Sequence, residues 1–195
     1  MKKRIGLLYG GKSAEHEVSL TTASAFSKAL DFDKYEVYPI YITQEGEWRK
    51  GTPLVGAVSS IEELQLAGDV ERNNDISSFL PNDQEQALDV IIPLLHGPNG
   101  EDGTVQGLLE VMNLPYVGNG VLASSAGMDK VVMKQLFEQA GLNQTPYVYF
   151  LRRDWKNGQE LWLDKGERGW TGGGVVRPGG LGSSGGGALA AAREE

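Results

Sequence analysis

Two glycine-bearing segments carry the side chains best suited to chemistry: residues 10–19, with Glu15, and residues 96–107, with His96, Glu101 and Asp102. A carboxylate such as Glu15 suits the ammonium group of an amino acid, and an imidazole or a loop amide suits its carboxylate. Brought to one crevice, Glu15 and His96 would hold such a molecule by both ends. Each residue also has a plainer role open to it. Glu15 stands where a helix N-terminus favours negative charge. His96 could be a structural histidine at a strand end, and Glu101 and Asp102 could stabilise the first turn of the helix that follows. Gly97, Gly100 and Gly103 fit a loop whose backbone approaches a ligand closely. Gly10-Gly11-Lys12-Ser13 offers free amides at a helix start, which suit an anion, or else a plain tight turn.

Residues 6–13 also match the P-loop pattern G-x-x-x-x-G-K-[ST] letter for letter. That chemistry needs the four middle residues to wrap a phosphate as a loop. Here Leu7, Leu8 and Tyr9 belong to an apolar run that reads as a buried strand, which puts Gly6 inside the strand. A P-loop enzyme also wants an aspartate at the end of an apolar strand to hold magnesium, and Asp89 stands at the start of its run. The match is therefore disfavoured as a phosphate site.

The elements that must position these segments follow from spacing. Residues 5–9 form a compact apolar run and predict a strand. After Gly10 and Gly11, the residues Val18, Thr22, Ala25, Phe26, Ala29 and Leu30 recur on one face of a helix. Residues 35–42 (YEVYPIYI) predict a second strand, with Pro39 suggesting an edge or irregular position. Strand, helix and strand in this order imply a parallel crossover. Gln44-Glu45-Gly46 predicts a turn, and Trp48 the return strand of a short hairpin. Residues 89–95 predict a further strand, and residues 103–112 a helix with Val105, Leu108, Leu109 and Met112 inward. Residues 116–117 read as a short buried strand. Residues 121–140 read as helix broken near Gly127 and Met128, and residues 147–151 and 174–177 as strands. The fold class expected is α/β with a mainly parallel sheet. Both glycine-bearing segments then fall at the carboxyl edge of that sheet, where open α/β folds bind ligands.

Composition narrows the function. The formal net charge is -8, from 18 basic and 26 acidic residues, which argues against binding a nucleic acid through its phosphates. The chain has no cysteine and only two histidines, His16 and His96, so thiol chemistry and a histidine-rich metal centre are excluded. The basic start at residues 2–4 is followed by an apolar run too short for a signal peptide, and no stretch has a membrane-spanning length. A soluble, cytoplasmic protein is expected. From residue 166 onward the chain is dense in glycine, which orders at high entropic cost, so this end should be poorly ordered unless something binds it.

The segment GGKSAEHEVS at residues 10–19 resembles the first-loop signature of D-alanine–D-alanine ligases. HGPNGEDGTVQG at residues 96–107 is similar to the second signature of that family. PYVGNG at 115–120, followed by Met128-Asp129-Lys130, looks like its join to an ATP-grasp domain. The likeness runs from Met1 to about Leu163. It implies an N-terminal pre-ATP-grasp, Rossmann-like domain over residues 1–122 and an incomplete ATP-grasp central subdomain with a glycine-rich tail over residues 123–195. It also implies ATP-dependent joining of two D-alanines through an acylphosphate, for peptidoglycan precursors, by a homodimer. By the same resemblance Glu15 orients the first D-alanine, and Ser183 lies on a loop that bonds back toward Glu15. Glu101 supports the site from behind, and Lys130 and Arg177 correspond to two lysines that contact ATP phosphates. Arginine at 177 departs from the family pattern, because its planar fork does not mimic a compact ammonium. The magnesium ligands are expected beyond residue 195. The 195-residue chain is thus expected to be a fragment, or an incomplete sequence, and inactive alone. Two other readings stay open: a non-catalytic binding or dimerisation module, and, third in order, a P-loop NTPase.

Overall fold

The computed structural model describes residues 2–66, 87–161, 174–177, 179 and 188–190. They fall into two compact units, Met1–Ser125 and Ala126–Glu195. In the first, β1 (Lys3–Gly10), α1 (His16–Ala29) and β2 (Tyr35–Ile42) make the expected crossover. β1 and β2 pair in parallel from Lys3 opposite Tyr35 to Gly10 opposite Ile42. The hairpin closes as predicted: Gly46 turns at φ 95°, and β3 (Trp48–Lys50) runs antiparallel to β2 with Trp48 opposite Ile42. β4 (Val90–Pro93) lies parallel on the far side of β1, giving the order β3-β2-β1-β4.

β1 is central because both of its faces are apolar. Leu7 and Tyr9 point to one side and pack with Leu20, Ala23, Val37 and Tyr41. Leu8 points to the other and packs with Ile40, Ile91, Val105 and Leu109. A parallel sheet covered on both faces reads as a continuous apolar run rather than an alternating one. Gly6 leaves room for core side chains, since a Cβ there would lie 2.5 Å from Ile91 Cδ1 and that side chain would have to shift. Tyr9 reaches across its side of the core to donate a 2.8 Å hydrogen bond to the Leu64 carbonyl of a short 3-10 helix, Glu62–Gln65. Burial pushes its phenol above the ordinary value and keeps it a donor.

Pro39 sits in an inner strand without breaking it. Its carbonyl accepts from Gly51 N at 2.9 Å, so its ring nitrogen also faces that side, just past the end of β3. The ladder to β1 loses no hydrogen bond there.

Three expectations are corrected. The buried face of α1 is His16, Ser19, Leu20, Ala23, Ser24 and Ser27, not the face through Val18 and Ala25; Val18 is 50% exposed. Small residues let the helix approach the sheet, and its hydroxyls find partners there. Ser27 Oγ donates to Ser24 O and accepts from Val58 N. The strand expected at 116–117 reduces to one parallel bridge between Tyr116 and Ile91, with Val117 exposed, because Gly118 turns away at φ 141°. Residues 147–151 form no strand and have no partner strand among the described residues.

α2 (Thr104–Val111) fills the expected helix, with Val105 and Leu109 buried. The helical stretch at 121–140 divides into α3 (Val121–Met128) and α4 (Lys130–Gln139). The break is Asp129, whose carboxylate accepts from the amides of Val131 and Val132 at 2.9 and 3.0 Å. In the second unit α5 (Arg152–Asn157) follows, with Phe150 stacked on Trp155. The strand expected at 174–177 forms as β5 (Gly174–Val176), antiparallel to β6 (Ala188–Ala190). Most of the glycine-dense end lies outside the described residues.

Candidate functional site

The first loop leaves β1 through Gly10 and Gly11, at φ 89° and 104°, a region that glycine enters without a Cβ clash. His16 holds this loop from below. Its Nδ1 meets the Gly11 carbonyl at 2.8 Å and its Nε2 meets the Tyr41 hydroxyl at 3.1 Å. The carbonyl can only accept, so Nδ1 carries the hydrogen and Tyr41 donates to Nε2. Burial raises the Tyr41 hydroxyl above its ordinary value, which keeps it a donor.

Two serines tie the first loop to the second. Ser19 Oγ accepts from Gly10 N at 2.8 Å and donates to the Leu94 carbonyl at 2.6 Å. Ser13 Oγ accepts from Glu15 N at 3.1 Å and donates to the His96 carbonyl at 2.9 Å. The ends of β1 and β4 are thus joined by side chains that are satisfied on both sides.

Across this seam lie the predicted residues. Glu15 caps α1 by position, yet its side chain makes no capping hydrogen bond. Its carboxylate lies instead against Gly97, where a Cβ would stand 2.6 Å from Glu15 Oε2. Gly97 N donates to Glu101 Oε2 at 2.7 Å, and Glu101 Oε1 is 4.0 Å from His96 Nδ1. His96 Nε2 is 3.2 Å from Thr22 Oγ1 of α1. Asp102 accepts from the amides of Asn99 and Thr104 at 2.9 and 3.0 Å. Burial pushes its carboxyl up, but these hydrogen bonds outweigh that and hold it below its ordinary value. Asp102 therefore shapes the loop and the start of α2, the plainer of the roles considered for it.

Glu15, His96 and Glu101 are brought together in the first unit. Lys130 and Arg177 belong to the second. Lys130 opens α4, and its backbone N–H donates to the Gly179 carbonyl at 3.0 Å, just beyond Arg177, which is exposed. Ser183 lies outside the described residues. Gly6 to Gly10 are strand, which leaves no phosphate-wrapping loop in the P-loop match. Sequence reasoning missed His16, Ser13, Ser19 and Thr22. For His16 and Ser19 the signal available was a stripe at helical spacing with Leu20, Ala23, Ser24 and Ser27, mostly small or polar, which an apolar periodicity search passes over.

This is an α/β domain with a doubly covered, mostly parallel sheet, whose two carboxyl-edge loops present a carboxylate, an imidazole and backbone amides to one another. The family model described as the D-ala D-ala ligase N-terminus matches residues 4–119, and the chain belongs to that family. A D-alanine–D-alanine ligase of Bacillus cytotoxicus is 54% identical over 189 residues, covering 94% of this chain and 52% of the relative. One of Listeria welshimeri is 51% identical, with the same shares covered. Among solved structures, the D-alanine–D-alanine ligase of Coxiella burnetii has a TM-score of 0.73 at 28% identity, covering 96% of this chain and 56% of that one. The VanG D-Ala:D-Ser ligase of Enterococcus faecalis has a TM-score of 0.71 at 29% identity, covering 97% and 55%. The chain spans about half the length of the curated relatives it matches.

Proposed function

We propose that this chain is the substrate-binding N-terminal portion of an ATP-dependent ligase that joins two D-alanines for peptidoglycan synthesis. The observation that carries this is the Glu15 carboxylate, which makes no capping bond to its helix and faces Gly97 in a chain of this family. In the proposed reaction a carboxylate oxygen of the first D-alanine takes the terminal phosphoryl group of ATP, releasing ADP. The amine of the second D-alanine then attacks the carbonyl carbon, loses a proton, and phosphate leaves.

The residues of this chain bind and orient. Glu15 accepts hydrogen bonds from the ammonium of the first D-alanine, while His96 and the amides of the second loop face its carboxylate. Glu101 holds the Gly97 amide and stands behind His96. Lys130 and Arg177 are proposed to contact ATP phosphates, where positive charge stabilises a transferring phosphoryl group. The tie between Lys130 N and Gly179 O supports their grouping. Ser183 is proposed to bond toward Glu15. Among the described residues no three acidic or imidazole groups gather as a metal site. The magnesium ligands are proposed to lie in the part of the relatives' length that this chain does not span. A cytoplasmic location and a homodimer are part of the same proposal, and the family likeness supports both. The domain division proposed is a pre-ATP-grasp unit to about Leu122, then part of an ATP-grasp unit.

The test is Glu15→Gln in the complete ligase, followed by ADP release. A charge-assisted hydrogen bond contributes roughly 1.5–3 kcal/mol, so the KM for the first D-alanine should rise about 10- to 100-fold, with ATP affinity and melting temperature little changed. Unaltered D-alanine kinetics would remove Glu15 from the site. ADP release that ignores D-alanine and is lost in Lys12→Ala would restore the P-loop reading, and absence of any ADP release would favour a binding module.

A further inference from the structure

Thr22 lies in the second turn of α1, away from the residues that face the substrate in the reading above, yet its side chain meets His96. Its Oγ1 is 2.8 Å from the Val18 carbonyl and 3.2 Å from His96 Nε2. A threonine hydroxyl has one hydrogen to give and lone pairs to receive with. The Val18 carbonyl can only accept, and a back-bond to the carbonyl four residues earlier is a common habit of helical threonine. The one hydrogen therefore goes to Val18, and the Thr22 oxygen is left as an acceptor for the imidazole.

We infer that Thr22 is a positioning residue that fixes the His96 ring by accepting from Nε2–H, so that Nδ1 faces Glu101 and the substrate loop and meets a carboxylate there as a donor once it too carries a proton. A histidine's tautomer is set by the hydrogen bond that its other nitrogen makes. The alternative tautomer, with its one proton on Nδ1 and Nε2 bare, has poor geometry, because the Glu101 Oε1 that would hold that proton is 4.0 Å away, too far for a hydrogen bond. Glu101 cannot close that gap freely, since its other oxygen is held by Gly97 N at 2.7 Å. The His96 backbone is pinned as well, through its carbonyl, by Ser13. α1 and the loop at its start thus grip His96 at the backbone and at the far ring nitrogen, and present the near ring nitrogen. The placement of the ring rests on these contacts alone; its consequence for D-alanine rests on the function proposed above.

The chain holds only His16 and His96, so imidazole signals in proton–nitrogen correlation spectra of the ¹⁵N-labelled chain are few and separable. The expected result is a His96 Nε2–H proton protected from exchange with water. It should persist in Thr22→Ser and vanish in Thr22→Val, while the His16 Nδ1–H signal to Gly11 stays in place and certifies the fold of the variant. A His96 proton found on Nδ1 with Nε2 bare overturns the inference, as does an Nε2–H signal unchanged in Thr22→Val. In the complete ligase, Thr22→Val should raise the KM for D-alanine about two- to tenfold, and Thr22→Ser should restore it. A lost ring signal with unchanged KM upholds the grip on the ring and counts against His96 as a substrate contact.

Discussion

The two units of the chain hold their candidate residues in different ways. In the first, Glu15 follows β1, which is buried on both faces, His96 and Glu101 follow its neighbour β4, and the loops that carry them are stitched by Ser13 and Ser19. Ser19 is fully buried. In the second, Lys130 opens a helix with no buried residue, and Arg177 follows a three-residue strand. Apolar side chains on the helices there are widely exposed, Leu136 at 54% and Phe137 at 41%. Buried, fully satisfied polar contacts fix a geometry strongly because breaking them strands a donor or acceptor away from water. Exposed contacts exchange with water at little cost. The first unit therefore fixes Glu15, His96 and Glu101 through buried, satisfied contacts, whereas the contacts described in the second around Lys130 and Arg177 include local capping and short strand pairing.

That contrast can be broken by mutation. Gly10→Ala should have the largest effect. The site has φ 89°, and the added carbon would run into the backbone carbonyl oxygen of Ile42. Left-handed strain and overpacking together should cost about 2–5 kcal/mol, read as a lowered denaturation midpoint and lost hydrogen-exchange protection along β1. Ser19→Ala should come next, at roughly 1–3 kcal/mol, because it leaves Gly10 N and Leu94 O without their partner. Exchange at the Gly10 amide should quicken most. Asp129→Ala, the counterpart in the second unit, removes only a helix cap and should cost about 0.5–2 kcal/mol, with faster exchange confined to the first turn of α4. If Ser19→Ala costs no more than Asp129→Ala, the distinction between a stitched and an unstitched half is wrong.

Much of the first unit was legible because its strands are unbroken apolar runs and its loops follow them. The crossover of β1, α1 and β2, the hairpin at Trp48 and the neighbouring placement of Glu15 and His96 all follow from that pattern. The face of α1 was not legible. Its inner stripe is built from Ser19, Ser24, Ser27 and His16, residues that look solvent-facing until their partners on the sheet and loops are known. Residues 147–151 failed for the opposite reason. Their aromatic content promises a strand, but β-propensity marks only side chains that fit a half-buried sheet, and no partner strand lies among the described residues. The 3-10 helix at Glu62–Gln65, with Leu64 fully buried, lay in a stretch with no periodicity to read. The supporting residues of the site were hidden in the same way as the helix face. Nothing in the letters of Thr22 or Ser13 distinguishes a hydroxyl that meets water from one that meets His96.

The position of β1 between β2 and β4 also bears on the order in which the chain can take shape. β1 meets β2 after one short crossover, but Ile5 meets Val90 only across the whole length between them. Closing so long a loop is entropically costly and slow. During synthesis, strand, helix and strand up to Ile42 can assemble as soon as they are made, with Glu15 already at the head of its helix. His96 has no strand to hang from until Pro93 has joined β1, so Ser13 and Ser19 wait with their partners unmade. The crevice therefore closes after the older crossover, and detachment of β4 alone would open it while leaving that crossover standing.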